Sequence, residues 1–63
     1  MNDNRNAFTV KEIATRNGIS HVTVYKEINQ GRLRSFKLGK SRRISAEAEQ
    51  EWVREREAEA NVA

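Results

Sequence analysis

Three observations predict a small, mostly helical α+β fold with three helices and a two-stranded β-hairpin. Thr9, Ser20 and Ser45 each stand just before a helical periodicity, and such hydroxyls cap helix N-termini. Gly18 and Gly31 stand where the first two periodicities end, as glycine does just past a helix C-terminus. Between the second and third helices lies a basic segment in which Phe36 and Leu38 alternate with Ser35 and Lys37 before Gly39, the pattern of a hairpin.

Met1–Ala7 is polar and aperiodic, so it reads as a flexible end. Order is expected from Phe8. Thr9-Val10-Lys11-Glu12 has the form of a capping box, and Phe8 and Ile13 are placed to staple the helix entry. Val10, Ile13, Ala14 and Asn17 fall on one stripe of a helix of about two turns. After Gly18 only Ile19 intervenes before Ser20 opens the second helix, which runs through His21-Val22-Thr23-Val24-Tyr25-Lys26-Glu27-Ile28 to Gln30. Two helices joined so tightly have the spacing of a helix-turn-helix, and the alternative on these residues is an αα-corner used only for packing.

On the second helix Val24 and Ile28 share one face, while Val22, Lys26 and Asn29 lie opposite, with Thr23 and Tyr25 to the sides. Apolar groups that can meet thymine methyls, mixed with short polar groups, suit a groove-reading helix. In the hairpin, Phe36, Leu38 and Ile44 are expected to pack against the helices, leaving Lys37, Lys40, Arg42 and Arg43 outside. Such crowded cations favour a nearby polyanion, although basic residues also protect exposed strand edges. Ser45 caps the last helix; Ala48 and Trp52 share a face, and Trp52 reads as the aromatic lid of the core rather than a base-stacking platform. Arg54-Glu55-Arg56-Glu57 continues the helical propensity without a buried face. The expected organisation is a flexible end over 1–7, one domain over 8–55 and an acidic, fraying tail over 56–63.

Charge is divided along the chain. Residues 1–45 hold ten Lys/Arg against three Asp/Glu, whereas residues 46–63 hold two against six. A basic body suits a polyanion-binding face and the acidic tail a different role; a merely solvated charged surface is the alternative. A chain of 63 residues is expected to form one domain too small to enclose a water-excluding pocket. Without cysteine and with His21 as the single histidine, it offers no thiolate, no multi-histidine metal site and no triad. No catalytic residue, metal or cofactor is therefore expected. The absence of a long apolar run argues against a membrane span, and a cytoplasmic, nucleoid-associated location in a bacterial cell is expected.

Taken in order, Phe8-Thr9-Val10-Lys11-Glu12-Ile13-Ala14, Gly18-Ile19-Ser20, Thr23-Val24-Tyr25, Gly31-Arg32-Leu33, Phe36-Lys37-Leu38-Gly39, Arg43-Ile44 and Trp52-Val53 resemble the excisionase-type, MerR-related DNA-binding domain. The resemblance implies a winged helix-turn-helix, with the helix from Ser20 in a major groove and the Gly39-Lys40-Ser41 wing on backbone or the adjacent minor groove. It implies a phage or mobile-element excisionase that binds double-stranded DNA near attachment sites, bends it, acts beside further copies of itself and directs an integrase. A small transcriptional regulator of the same fold would use the same residues, and an adaptor docking an acidic protein is the alternative outside DNA binding. Expected major-groove residues are Ser20, His21, Val22, Thr23, Tyr25 and Lys26; expected backbone or minor-groove residues are Arg16, Arg32, Arg34, Lys37, Lys40, Ser41, Arg42 and Arg43, with Lys11 in support. The chain departs from the family pattern in lacking proline near Ser45 and after Leu33, and in carrying Glu27 and Glu49 where large apolar residues are usual. The two glutamates mark either a looser seam for the last helix or a surface used by a partner.

Overall fold

The computed structural model describes residues 6–62. In chain order the elements are β1 (Ala7–Thr9), α1 (Val10–Asn17), α2 (His21–Asn29), β2 (Phe36–Leu38), β3 (Ser41–Ser45) and α3 (Ala46–Val62). The architecture is mostly helical α+β, three helices against a small antiparallel sheet, consistent with a winged helix-turn-helix. Of the expected flexible end, residues 1–5 lie outside the described residues; Ala7 belongs to β1, and the Asn6 carbonyl accepts from the Ala46 amide at 2.8 Å.

The local signals behave as their chemistry requires. The Thr9 hydroxyl accepts from the Glu12 amide at 3.0 Å while the Glu12 carboxylate accepts from the Thr9 amide at 2.9 Å, closing both halves of the capping box. Phe8 and Ile13 are both buried. Gly18 takes φ 68° and ψ 32°, the left-handed geometry that an L side chain resists. The Ser20 hydroxyl then accepts from the Thr23 amide at 3.2 Å. At the end of α2 the Glu27 carbonyl accepts from both Arg32 and Leu33. This turn delivers Leu33 into the core.

The expected hairpin is β2–β3, and a third strand joins it: the order is β1-β3-β2, because Ala7–Thr9 pairs with Arg43–Ser45, a segment too short to show alternation. One expectation about the sheet is corrected: Phe36 and Leu38 remain 42% and 62% exposed instead of packing on the helices. Phe8 pairs with Ile44 and Phe36 with Arg43. Directly opposed residues share a face, so Phe36 and Leu38 lie on the Arg43 side and Ile44 on the other. Alternation places Phe36 and Leu38 together, but the register decides which face they take.

The core consists of Phe8, Val10, Ile13, Ala14, Val24, Leu33, Ile44, Ala48 and Trp52. Across its α3 side runs a polar seam built on the two glutamates of the chain's unusual positions. Glu49 is buried; it accepts from Arg16 Nε at 3.1 Å, Arg16 Nη2 at 2.9 Å and Asn17 Nδ2 at 3.0 Å. Glu27 accepts from Trp52 Nε1 at 3.0 Å, from Arg32 Nε and Nη2 at 2.9 and 2.6 Å, and from Arg56 Nη1 at 3.1 Å. The seam is therefore a filled hydrogen-bonded contact and not a loose one, and Glu49 is too enclosed to meet a partner. Where the sequence ends the domain at residue 55, α3 continues to Val62, with half-buried Arg56 tied back to Glu27. No helix among the described residues is long and apolar enough to cross a membrane.

Glu27→Ala should lower stability by about 2–3 kcal/mol, since it strips a hydrogen-bond acceptor from the indole and from two guanidinium groups at once. The Arg32 and Trp52 hydrogen bonds, with the nearby Arg32 charge, hold the Glu27 carboxyl at about 2, against an ordinary 4.5. A native value below the unfolded one means that this contribution is complete above about pH 4.5 and lost as pH falls from there through about 2. Urea denaturation across that window should show the wild-type chain losing stability more steeply than the variant; parallel curves would contradict the assignment.

Candidate nucleic-acid interface

The outer face of α2 is set by what its inner face must do. Val24 is fully buried and Ile28 packs beside it, so at roughly 100° per residue Val22, Lys26 and Asn29 point the opposite way. Val22 is 65% exposed and Tyr25 44% exposed; His21, Thr23, Lys26, Asn29 and Gln30 are also exposed. Ser20 is exposed, but its hydroxyl serves as the helix cap and lies 3.1 Å from the Thr23 hydroxyl. The structure separates two side chains that the sequence groups together. Tyr25 leans toward β3, where it lines a concavity with Lys40–Arg43, whereas Thr23 lines a different hollow beside Trp52 and Arg56.

Asn29 shares the outward stripe with Val22 and Lys26. It belongs with the candidate readers although it was not among the expected contacts, and a bidentate amide is well suited to an adenine edge. The signal is the angular position itself, three residues beyond Lys26 and seven beyond Val22 on one helical face.

The concavity beside Tyr25 measures about 380 Å³ and is lined by Thr9, Val10, Lys11, Tyr25, Lys40, Ser41, Arg42 and Arg43. It brings together α1's first turn, the middle of α2 and the β2–β3 hairpin. Lys37 lies directly opposite Arg42 in the pairing of β2 with β3, a like-charge pair that opposes hairpin formation in isolation. Arg42 also donates from Nη1 to the Ser35 hydroxyl at 2.7 Å, which steadies the start of β2. Lys11 thus joins the wing cations in one place.

The remaining expected backbone contacts are engaged elsewhere. Arg16 grips Glu49 and stacks 4.2 Å from the centroid of the Phe8 ring. Arg32 grips Glu27, which pushes its guanidinium pKa up, and Arg34 reaches Glu51 at 2.7 Å on the surface. A second division of charge follows. Arg16, Arg32, Arg34 and Arg56 each meet a glutamate, whereas among the described residues no carboxylate pairs with Lys11, Lys37, Lys40, Arg42 or Arg43. Among the described residues, ion pairs engage one set of cations, and of the rest Lys11, Lys40, Arg42 and Arg43 line a single hollow whereas Lys26, Lys37 and Arg54 do not. No group of three or more potential metal-ligating side chains occurs among the described residues.

If the exposed α2 residues are not part of the fold's support, replacing them should leave it intact. Val22→Ala and Lys26→Ala should each unfold within about 0.5 kcal/mol of wild type. A larger loss in denaturant titration would assign them to the packing.

A family model for a helix-turn-helix domain matches residues 7–57. No curated protein and no solved structure matches the chain.

Proposed function

The chain belongs to the helix-turn-helix domain family, and on that footing we propose that it is a non-catalytic, sequence-specific binder of double-stranded DNA. The carrying observation is the set of cations left unmatched around the Tyr25 concavity, beside a helix face whose Val22 and Lys26 point outward. A polyanion with closely spaced charge relieves their mutual repulsion. In this reading α2 lies in a major groove, where Val22 meets a thymine methyl and His21, Lys26 and Asn29 meet base edges. The phosphate strand bordering that groove runs through the concavity, with Lys11, Lys40, Arg42 and Arg43 on its oxygens and the Tyr25 hydroxyl able to donate to one. Thr23 and Ser20 flank the helix start. Arg16, Arg32 and Arg34 contribute to the long-range field more than to direct contact, being held by glutamates.

The finer role we propose is that of an excisionase. The ordered resemblance from Phe8 to Val53 supports it: a small binder acting on repeated sites, bending the DNA and helping an integrase, which performs the recombination. A small transcriptional regulator would use the same surface. Excision assays with a neighbouring integrase separate the two, since only an excisionase changes the direction of recombination. The place of action in either case is the nucleoid of a bacterial host.

Titration of the protein against a duplex selected from a randomised pool, with random duplex as competitor, tests the binding. Neutralising roughly five phosphates through Lys11, Lys37, Lys40, Arg42 and Arg43 gives a log–log salt slope of about −4.5. Arg43→Ala should weaken binding to every duplex and reduce the slope by about 1, whereas Lys26→Ala should cost about 1–3 kcal/mol on the selected duplex and relax its selectivity. A slope near zero would remove the electrostatic basis. Equal displacement by a non-DNA polyanion would instead favour docking of an acidic protein.

A further inference from the structure

Leu38 is 62% exposed and shares a sheet face with Ser41, Arg43 and Thr9, since Leu38 pairs with Ser41 and Arg43 pairs with Thr9. An isolated exposed leucine is ordinary on a protein surface. This one is distinguished by its position. Ser41, Arg43 and Thr9 all line the cationic concavity, so Leu38 lies on the sheet face that those three lining residues share. It is also bracketed by Lys37 and Lys40 at the turn, where Gly39 takes φ 66°. An occupant of this edge meets Lys37, Lys40 and Arg43 around an apolar side chain, and the phosphate-bordered groove of the DNA reading above offers that combination.

The geometry of a duplex identifies the slot. With α2 in the major groove and one phosphate strand in the concavity, the next surface beyond that strand is the minor groove. That groove is about 6 Å wide, too narrow for a helix but open to the side chain of a hairpin edge. Resting on the DNA-binding reading above, we propose that Leu38 enters the minor groove and is a specificity-determining residue there. Its methyls offer no acceptor, so they exclude the guanine 2-amino group, whose donor would be buried without a partner. The base pairs selected at the wing are A·T or T·A.

The test uses the duplex that the wild-type protein selects from a randomised pool. At each position flanking the α2-read bases, A·T is replaced by G·C and, separately, by hypoxanthine·C, which keeps the G·C-like acceptors of the major groove but lacks the 2-amino group. Wild-type protein should bind the G·C duplex about ten-fold more weakly at one such position and recover on hypoxanthine·C. Leu38→Ala and Leu38→Ser should lose that discrimination, Leu38→Ser by supplying a hydroxyl acceptor. Both should keep the wild-type salt slope, because no charge is removed. Thermal melts matching wild type establish that the variants fold, as an exposed site requires. Hypoxanthine·C no better than G·C at every flanking position, or discrimination retained in Leu38→Ala, overturns the role of Leu38 while leaving the DNA reading in place. Wild-type protein without selective, salt-dependent binding overturns the DNA reading itself and this inference with it.

Discussion

The fold depends on how two carboxylates are held under α3. A core of nine apolar side chains, two of them alanine, leaves little hydrophobic free energy to dock a helix of 17 residues whose outer half is charged. Glu27 and Glu49 complete the contact. Each reaches from one helix to groups on another: Glu27 from α2 to Trp52 and Arg56 on α3, Glu49 from α3 to Arg16 and Asn17 on α1. Enclosed carboxylates are costly unless nearly every lone pair has a donor. Here the donors are arginine forks and an indole N–H, which are directional, so the seam fixes the angle at which α3 crosses the helix pair as well as holding it there. Apolar residues at these two positions would pack with less directional constraint.

The same glutamates determine which cations remain for binding. By engaging Arg16, Arg32 and Arg56, they convert basic residues near the body of the domain into structural elements. Of the cations without an ion pair among the described residues, Lys11, Lys40, Arg42 and Arg43 gather at the hairpin and α1's first turn, next to Tyr25. A net charge of +3 therefore understates the local field at the concavity. It also explains how a basic body and an acidic last helix coexist without the helix collapsing onto the hairpin, since part of the acidic charge is already committed to Arg16, Arg34 and Arg56.

The helical part of this design was readable from the chain because its signals are local. Thr9 with Glu12, Gly18, and Ser20 with its helix are decided within four or five residues by hydrogen bonding and φ, and the structure reproduces each. Trp52 as a core lid was likewise legible from its spacing with Ala48. The sheet was less so. Whether Phe36 and Leu38 face inward depends on a one-residue register between β2 and β3, and β1 acquires its identity only by pairing with residues some thirty-five positions away. The basic residues were legible as a group, but Arg16, Arg32 and Arg34 could not be told from the wing cations, because the glutamates that engage them are mostly distant in sequence. Lys11, read from the sequence as a supporting contact, is brought beside Lys40, Arg42 and Arg43 only by the fold.

Stability and recognition thus draw on separate residues. The seam uses Glu27, Glu49, Arg16, Arg32, Arg56 and Trp52, whereas the proposed DNA surface uses the outer face of α2, Lys11 and the hairpin. The two share α1, which carries Lys11 at its start and Arg16 at its end, and α2, where Glu27 faces α3 and Lys26, beside it in sequence, faces solvent. A helix can serve both because adjacent residues point about 100° apart. In so small a domain the separation has a physical benefit. On the proposed reading, repulsion among the cations crowded at the hairpin is relieved by a polyanion and adds to the electrostatic drive toward it, while the seam keeps the helices in register. Moving one of the seam arginines to a phosphate would forfeit that arrangement, since it would leave an enclosed glutamate short of a donor at the moment of binding. On the proposed reading, affinity and specificity are open to change at the hairpin and α2 surface while the glutamate seam that holds α3 stays intact.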